Sequence, residues 1–347
     1  MGVREAIIKV VDGQNLTEGE AAAAMKEIVE GLATPAQIGA FATAMRMKGE
    51  TADELAGLAR VMREYATRVN VEDGAVDLVG TGGDGSQTFN ISTISSMVVA
   101  AAGGRVAKHG NRGITSSCGS ADILEALGIP IDLDADNVAR AVAECGFGFM
   151  FAPAFHPSLK HAAGPRKEIG IRTIFNILGP LCNPAWTNNM LIGVAVGPLA
   201  SKMAVVMSKL GSTRALVVHG AGGLDELSIS GPSQVYEIND GELTSYEVEP
   251  EKFGLRSDHL SSIQGGTVEA NLEMAKEALS GKAGAIRDVV LLNAGAGLFA
   301  AGLVDTIKEG VDLAGEMIGS GRAREKVDHV REVSQQIRRR QLEVKQA

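Results

Sequence analysis

The segment with the clearest chemical character is glycine-rich and lies in the first third of the chain. Residues 77–93 read DLVGTGGDGSQTFNIST and combine four glycines with a run of hydroxyl and amide side chains. Glycine lets backbone N–H groups approach an anion closely, and Ser and Thr add short donors. The composition therefore predicts that this glycine segment (residues 77–93) binds phosphate.

Two nucleotide-binding motifs are near matches to the glycine segment, and both fail. Gly80, Gly82 and Gly85 satisfy the GxGxxG spacing, but the polar stretch SQTFN separates them from the next helix, and residues 85–121 contain no Asp or Glu to hold a ribose. The GxxxxGK[ST] pattern of a P-loop does not occur in the chain. A plain strand-to-helix turn is the remaining alternative for this segment alone.

A second segment concentrates positive charge. Residues 108–122, KHGNRGITSSCGSAD, hold Lys108, Arg112 and several hydroxyls, and Arg105 lies just before them. Because no acid occurs in residues 85–121, we expect this basic segment (residues 108–122) to form a local positive basin. Ser116, Ser120 and the start of a helix at SADILEALG add further anion donors. If both segments follow neighbouring parallel strands, they face one crevice.

Two later segments suggest a metal ion and a second substrate. Asp225 and Glu226 are adjacent in HGAGGLDELSISG, where they either bind Mg²⁺ or favour a helix N-terminus. Ser92 is a candidate oxygen ligand from the opposite side. Residues 156–184 carry six basic side chains and one acid, Glu168, and this excess of positive charge suits an acidic organic substrate. Arg166 has the geometry to hold a carboxylate in a bidentate manner, whereas packing is the simpler role for His156.

The spacing of apolar residues predicts the elements that position these segments. Capping boxes at Thr17 and Thr51, and Thr34 followed by Pro35 at the first helical position, predict N-terminal helices. A domain boundary is expected near residues 70–75. After it, short apolar runs alternate with helices, which favours a largely parallel sheet. The predicted strands are residues 75–80, 104–110, 147–153, 190–197 and 214–220. A hairpin over 233–249 turns at Asp240-Gly241, and the chain from 267 onward is predicted to be helical.

Composition narrows the functional classes. The net charge is −9 and 45% of the residues are hydrophobic, so the chain can build a core and does not attract nucleic acid over its whole surface. Three cysteines without a CxxC pair suit a reduced, cytoplasmic protein. The first residues lack a signal-peptide pattern, and no uncharged apolar stretch reaches the length of a membrane span.

Four motifs in register resemble the anthranilate phosphoribosyltransferase family. They are GTGGDGSQTFNIST, KHGNRGITSSCGSADILEALG, GPRKEIGIRTIFNILGPLCNP and HGAGGLDE. The resemblance implies transfer of a phosphoribosyl group from phosphoribosyl diphosphate to anthranilate, in tryptophan biosynthesis, with two Mg²⁺ ions. It also implies a class III nucleoside phosphorylase fold, with a helical domain of residues 1–72 joined by about 156–184, an α/β domain of 73–155 and 185–347, and a homodimer.

The same resemblance implies roles for individual residues. Phosphoribosyl diphosphate is assigned to Gly80, Gly83, Asp84, Thr88, Asn90, Ile91, Ser92, Thr93, Lys108, His109, Gly110, Asn111, Arg112, Gly113, Ile114, Thr115, Ser116 and Ser120. Anthranilate is assigned to Gly80, Asn111, Arg166, His156 and Gly179. Mg²⁺ is assigned to Ser92, Asp225 and Glu226. His109 is the one candidate catalytic residue, and no general base is assigned.

Two other functions remain open at this point. A pyrimidine nucleoside phosphorylase would share the fold and use a nucleoside with inorganic phosphate. A non-catalytic paralogue that binds nucleic acid would keep the fold and show a larger basic surface. The expected partners are anthranilate and phosphoribosyl diphosphate, with no nucleic acid and no membrane.

Overall fold

The N-terminal region is a bundle of helices in the computed structural model, which describes residues 1–113 and 117–346. The helices are α1 (Val3–Val11), α2 (Glu18–Val29), α3 (Pro35–Lys48) and α4 (Ala52–Glu64). The predicted capping boxes at Thr17 and Thr51 are confirmed, and the structure shows a third at Thr34. In each, the threonine hydroxyl accepts from the N–H three residues on, and the Glu or Gln side chain there accepts from the threonine N–H. Local side-chain chemistry therefore sets where these helices begin.

A seven-stranded sheet follows the bundle. Its strands are β1 (Val76–Gly80), β2 (Val106–Gly110), β3 (Phe147–Phe151), β4 (Asn189–Gly193), β5 (Arg214–His219), β6 (Ser233–Asn239) and β7 (Glu242–Val248). The order is β3-β2-β1-β4-β5-β6-β7, with β1 to β5 parallel and the β6–β7 hairpin antiparallel. Asp240 (φ 48°) and Gly241 (φ 86°) form the predicted hairpin turn. The predicted fold class, a helical domain with a mostly parallel α/β domain, is confirmed.

Helices cover both faces of the sheet. They are α5 (Ile91–Ala101), α6 (Ser120–Ala126), α7 (Ala135–Cys145), α8 (Ala152–Phe155), α9 (Lys160–Ile169), α10 (Ile174–Ile177), α11 (Gly197–Lys209), α12 (Val268–Leu279), α13 (Ala285–Ala300), α14 (Ile307–Gly319) and α15 (Arg322–Gln346). Strand β5 shows the division: Leu216 and Val218 pack in the cluster with α5 and α13, whereas Ala215 and Val217 pack with α11 and the N-terminal bundle. Burial on both faces explains why the strands are almost continuously apolar.

Two strands end well before the residue that the sequence predicts. The apolar run 147–153 leaves the sheet after Phe151, because Pro153 stands near the start of helix α8, where a missing N–H costs nothing. The run 190–197 ends as a strand at Gly193, and α11 begins at Gly197 with Pro198 in its first turn. Apolar character alone did not distinguish the last strand residues from the start of the connection.

The sheet creates a crevice where its strand order reverses, between β1 and β4. Ligands of open α/β sheets bind beyond the carboxyl ends of the strands at such a point. Here Gly80 ends β1 and Gly193 ends β4, and Asp225 lies directly over both. A Cβ on Gly193 would lie 1.5 Å from the Asp225 carbonyl oxygen, and one on Gly80 would lie 2.2 Å from Asp225 Oδ2. The absence of side chains at these two positions lets the acidic pair reach the crevice.

No helix in residues 1–113 and 117–346 combines the length and the apolar character that a membrane crossing needs.

Candidate functional site

A cavity of 310 Å³ occupies the crevice at the carboxyl ends of β1, β2 and β4. The glycine segment, the basic segment and the acidic pair all contribute to its wall. The predicted residues that line it are Gly80, Gly83, Asp84, Thr88, Asn90, Ser92, Thr93, Lys108, His109, Gly110, Asn111, Arg112, Gly113, Ser120, Asp225 and Glu226. Ile91 is buried in the core and is not among the residues that line the cavity. Ile114, Thr115 and Ser116 lie outside the described residues.

The N-terminus of α5 points its backbone donors at this cavity. Asn90 is the N-cap, and Ser92 and Thr93 are the next lining residues. The Ser92 N–H donates to Glu226 Oε1 at 3.2 Å, and the buried Thr93 hydroxyl has no hydrogen-bond partner in the described structure. An amide, a hydroxyl and the positive end of a helix dipole together suit an anion.

Two buried carboxylates form the opposite wall. Asp225 accepts from the Gly82 N–H at 2.6 Å, while Glu226 caps α5. Burial, followed by the charge of Asp84, raises the pKa of Asp225 to about 7. Burial and the neighbouring acids Asp225 and Asp84 also raise the pKa of Glu226 well above its usual range. Acids held this close resist ionisation unless a cation lies between them.

This donor set fits Mg²⁺ bound together with a substrate. Within the described residues, no group of three or more His, Cys, Asp or Glu side chains is arranged to hold a metal ion. Mg²⁺ commonly takes one or two carboxylates and completes its shell with waters and phosphate oxygens. Asp225, Glu226 and the Ser92 hydroxyl are hard oxygen donors of that kind.

Lys108 brings a buried cation to the floor of the cavity. It is 1% exposed, and its Nζ donates to the Leu78 carbonyl and to Ser92 Oγ, the latter at 3.3 Å. Burial lowers the pKa of Lys108, and Asp77 and Glu226 oppose that shift. Burial raises the pKa of Asp77 to about 6, although the charge of Lys108 and the hydrogen bond from Asn183 lower it. Lys108 is therefore a buried amine held behind the α5 terminus, where two neighbouring acids favour its charged form.

The predicted positive basin is wrong, because acids outside the acid-free window pair with its cations. Arg112 Nη1 lies 2.8 Å from Asp122 Oδ1 and 2.6 Å from Glu125 Oε2. Arg105 pairs with Glu72 at 2.7 Å. The sequence window ended one residue before Asp122, and only the fold brings Glu72 alongside.

A second cavity, of 440 Å³, adjoins the first and has a more apolar wall. It is lined by Arg166, His156 and Gly179, three of the residues assigned to anthranilate. Arg166 stacks on Phe175, with its Cζ 5.5 Å from the ring centroid, and burial lowers its pKa. Burial is the one cause of this shift, and no carboxylate of the described residues pairs with Arg166, so its guanidinium is available to a ligand. The walls shared by both cavities include Gly80, Thr81, His109, Asn111 and Asn176.

Two buried histidines line the second cavity as neutral imidazoles, and His109 lines the first as well. The rings of His109 and His156 have centroids 5.0 Å apart. Burial, then the neighbouring His156, lowers the pKa of His109 to about 3, and burial lowers the pKa of His156 to about 4. The Nε2 atoms of both rings are buried without a partner in the described structure. A neutral ring can orient a ligand, but it is a weak proton acceptor at neutral pH.

These histidines should make stability depend on pH. A His pKa near 6.5 in the unfolded chain and about 4 in the folded chain means that the unfolded state binds more protons between those values. The stability due to neutral His156 is then fully present above pH 6.5 and is lost as the pH falls through 4. The wild type should lose about 1.4 kcal/mol more per pH unit than His156→Gln between pH 6 and pH 4.5.

Urea unfolding of both proteins at four pH values between 4.5 and 7.5 measures this difference. Buried carboxylates such as Asp77 titrate in the same range with the opposite sign, but they are present in both proteins and cancel in the comparison. Parallel curves for wild type and His156→Gln would show that the imidazole is not held neutral.

The structure also places residues at the site to which sequence reasoning gave no role. Arg172 Nη1 donates to the Gly83 carbonyl at 2.6 Å and lines the first cavity. Asp77 accepts from Asn183 Nδ2 at 2.7 Å behind Lys108. Asn176 lines both cavities. Arg172 lies in a visibly basic stretch, but the contact with Gly83 joins residues far apart in the chain, so spacing offered no signal for it.

Comparison with known proteins agrees with this geometry. The glycosyl transferase family α/β domain matches residues 72–324, and the helical bundle domain of that family matches residues 4–66. An anthranilate phosphoribosyltransferase of Desulfotalea psychrophila is 52% identical over 332 residues, which cover 94% of this chain and 95% of that protein.

Solved structures give the same result. The crystal structure of anthranilate phosphoribosyltransferase from Thermus thermophilus matches with a TM-score of 0.90 at 41% identity, over 95% of this chain and 99% of that one. The Saccharomyces cerevisiae enzyme in complex with phosphoribosyl diphosphate and Mg matches with a TM-score of 0.87 at 29% identity, over 96% and 98%. The same yeast enzyme in complex with 4-fluoroanthranilate matches with a TM-score of 0.86 at 28% identity, over 96% of this chain and 98% of that one.

Proposed function

From the premise that this chain belongs to the anthranilate phosphoribosyltransferase family, we propose that its first cavity binds phosphoribosyl diphosphate and its second binds anthranilate. The chain is a pentosyltransferase of tryptophan biosynthesis. It transfers the phosphoribosyl group of phosphoribosyl diphosphate to anthranilate, giving N-(5-phosphoribosyl)anthranilate and diphosphate. The nucleoside phosphorylase and the non-catalytic nucleic-acid binder are not favoured, since the relatives are named transferases over nearly their full length.

The shared wall between the cavities carries this proposal. The first cavity is lined by amides, hydroxyls and Lys108. The second is lined by apolar side chains and by the guanidinium of Arg166, which is available to a ligand. Gly80, His109 and Asn111 belong to both. An anionic sugar and an aromatic acid bound in these cavities would meet at that wall, which is the arrangement that group transfer between them needs.

We assign the phosphates to the donors of the two segments. The α5 amides, the Thr93 hydroxyl and Lys108 face the diphosphate, and the basic segment adds Asn111 and Ser120. Arg112 can bind a phosphate only if its ion pairs with Asp122 and Glu125 break. Both pairs are about half exposed on the arginine side, which keeps the cost of breaking them low.

The main requirement of the transfer reaction is stabilisation of the charges that develop in its transition state. The bond from ribose C1 to the diphosphate oxygen breaks, and a bond from C1 to the anthranilate nitrogen forms. Positive charge develops on the sugar ring while negative charge builds on the leaving oxygen, so fixed donors aimed at the diphosphate lower the barrier. When bound, Mg²⁺ neutralises part of the charge on the departing oxygens.

Anthranilate, the acceptor, needs to be oriented in the site more than it needs its amine to be deprotonated. Its aryl amine is already neutral at pH 7, so no strong base is required to free the lone pair. Arg166 holds the carboxylate, while Asn111 and the neutral His109 and His156 line the path to C1. The ammonium that forms after attack is acidic, so a weak base or water suffices to remove its proton.

The finer assignments rest on features of the described residues. We propose two Mg²⁺ ions, held by Ser92, Asp225 and Glu226. We propose a homodimer formed through the helical bundle, where Ile8, Val11 and Met47 are exposed apolar side chains. A cytoplasmic location follows from the donor substrate, because a charged sugar diphosphate does not cross a lipid bilayer.

We also propose the domain division given by the sequence. In it, residues 1–72 with about 156–184 form the helical domain, and 73–155 with 185–347 form the α/β domain. Packing of α9 against α2 and α3, and of α10 against α3, supports the inclusion of 156–184.

A fluorescence assay tests the proposed function. Purified protein mixed with anthranilate, phosphoribosyl diphosphate and Mg²⁺ should consume the fluorescence of anthranilate, and EDTA should stop the reaction. Parallel reactions with uridine or thymidine and inorganic phosphate should release no base. Phosphorolysis of a nucleoside without loss of anthranilate would support the phosphorylase instead.

A further inference from the structure

An amide and thiol cluster joins the two walls of the first cavity. The Asn90 side chain, at the start of α5, donates from Nδ2 to the Cys118 carbonyl at 3.0 Å. Its Oδ1 accepts from Cys118 Sγ at 3.2 Å and from Asn271 Nδ2 at 3.2 Å. Asn90 belongs to the glycine segment and Cys118 to the basic segment, so this cluster (Asn90, Cys118 and Asn271) bridges the segments that form the cavity.

Asn271 is the member of the cluster that does not line the cavity. It lies on α12 and is 2% exposed. Its Oδ1 accepts from the Gly266 N–H at 3.0 Å, and its Nδ2 donates to Asn90. A Cβ on Gly265 would lie 2.0 Å from Asn271 Oδ1 and 3.0 Å from the Phe89 Cα, so the chain passes tightly between them.

The segment beside Asn271 is bonded to the glycine segment by backbone. The Phe89 N–H donates to the Ile263 carbonyl at 3.1 Å, and the Gly265 N–H donates to the Gln87 carbonyl at 2.8 Å. Gln87 has a φ of 53°, a conformation that a non-glycine residue adopts only when its surroundings hold it there. Residues 263–266 and Asn271 therefore support the glycine segment from behind.

We propose that Asn271 is a positioning residue for phosphoribosyl diphosphate, a role that rests on the proposed function. It sets the side-chain orientation of Asn90 and, through Asn90, the spacing between the α5 terminus and the basic segment at Cys118. It touches no reacting atom.

Hydrogen-bond capacity explains why Asn271 matters. The two lone pairs of Asn90 Oδ1 are both used, and one of the two Nδ2 protons is used. One N–H remains to face the cavity, and its direction is determined by the three bonds already made. Without the Asn271 donor, the Asn90 amide keeps its two bonds to Cys118 but loses its one bond to α12, so its orientation is held less firmly.

Binding and kinetics of Asn271→Ala test the proposal. Calorimetric titration with phosphoribosyl diphosphate in the presence of Mg²⁺ should show about tenfold weaker binding than in the wild type, the usual effect of one lost positioning bond. The KM for phosphoribosyl diphosphate should rise by a similar factor, and the KM for anthranilate should stay within about twofold. Asn271→Ser, with a smaller loss of packing, should show the same split if the alanine variant does not fold.

Ala275→Gly is the matched control. Ala275 is buried one turn further along α12, and its replacement weakens the helix without touching the cluster. It should leave both KM values unchanged. Equal effects of Ala275→Gly and Asn271→Ala, or a folded Asn271 variant that binds like the wild type, would overturn the positioning role alone. A wild type that binds no phosphoribosyl diphosphate would overturn the proposed function itself, and the positioning role with it.

Discussion

The double variant Asp225→Asn with Glu226→Gln is expected to lose roughly a thousandfold or more in turnover with Mg²⁺ while remaining folded. The two carboxylates are the charged members of the proposed metal set, and amides are much poorer ligands for a hard cation. A single fixed donor to a developing anion is worth roughly 3 kcal/mol of barrier, and the double variant removes both carboxylates that would hold a cation beside the diphosphate. Turnover measured against Mg²⁺ concentration is the test.

The same variant should be more stable than the wild type in the absence of metal. Burial and the neighbouring acids, Asp84 for Asp225 and both Asp225 and Asp84 for Glu226, raise the pKa values of the two carboxyls, so their ionised forms destabilise the fold. Replacing them by amides removes that cost, and the temperature of thermal unfolding should rise. An exposed pair, Asp312→Asn with Glu316→Gln on α14, is the control and should change neither property. A double variant with the wild-type Mg²⁺ dependence would exclude these residues from the metal site.

Arg166→Ala is expected to raise the KM for anthranilate about a hundredfold and to change the KM for phosphoribosyl diphosphate by less than about threefold. Arg166 lines only the second cavity, and a bidentate bond to a carboxylate is among the stronger hydrogen-bonded contacts. Arg166→Lys should recover part of the loss, because lysine keeps the charge without the planar fork. Steady-state kinetics with each substrate varied in turn is the measurement.

Lys167→Ala provides the comparison for Arg166. Lys167 is the next residue on α9 and is exposed, so both KM values should match those of the wild type. Equal losses for the two substrates in Arg166→Ala would contradict the assignment of this side chain to the acceptor.

Local signals in the sequence account for much of the fold. Helix starts depend on residues within one turn, so capping boxes at Thr17 and Thr51 predict the starts of α2 and α4, and Thr34 followed by Pro35 predicts the start of α3. The alternation of apolar runs with helices predicted a parallel sheet, because such strands are buried on both faces. The sequence does not show where each strand ends, because the run 147–153 stays apolar after Phe151, although the chain has already begun α8 there.

The sequence by itself determined the kinds of donor at the site: glycine amides, hydroxyls, two adjacent acids and Arg166. Only the tertiary structure decided which charges remain available, because an ion pair depends on distance in space. Glu72 neutralises Arg105, Asp122 and Glu125 hold Arg112, and Lys108 is buried beside Asp77. The cluster at Asn271 belongs to the same category: Asn90 lies far from Asn271 in the chain, and the two meet only because the fold brings residues 263–271 alongside the glycine segment.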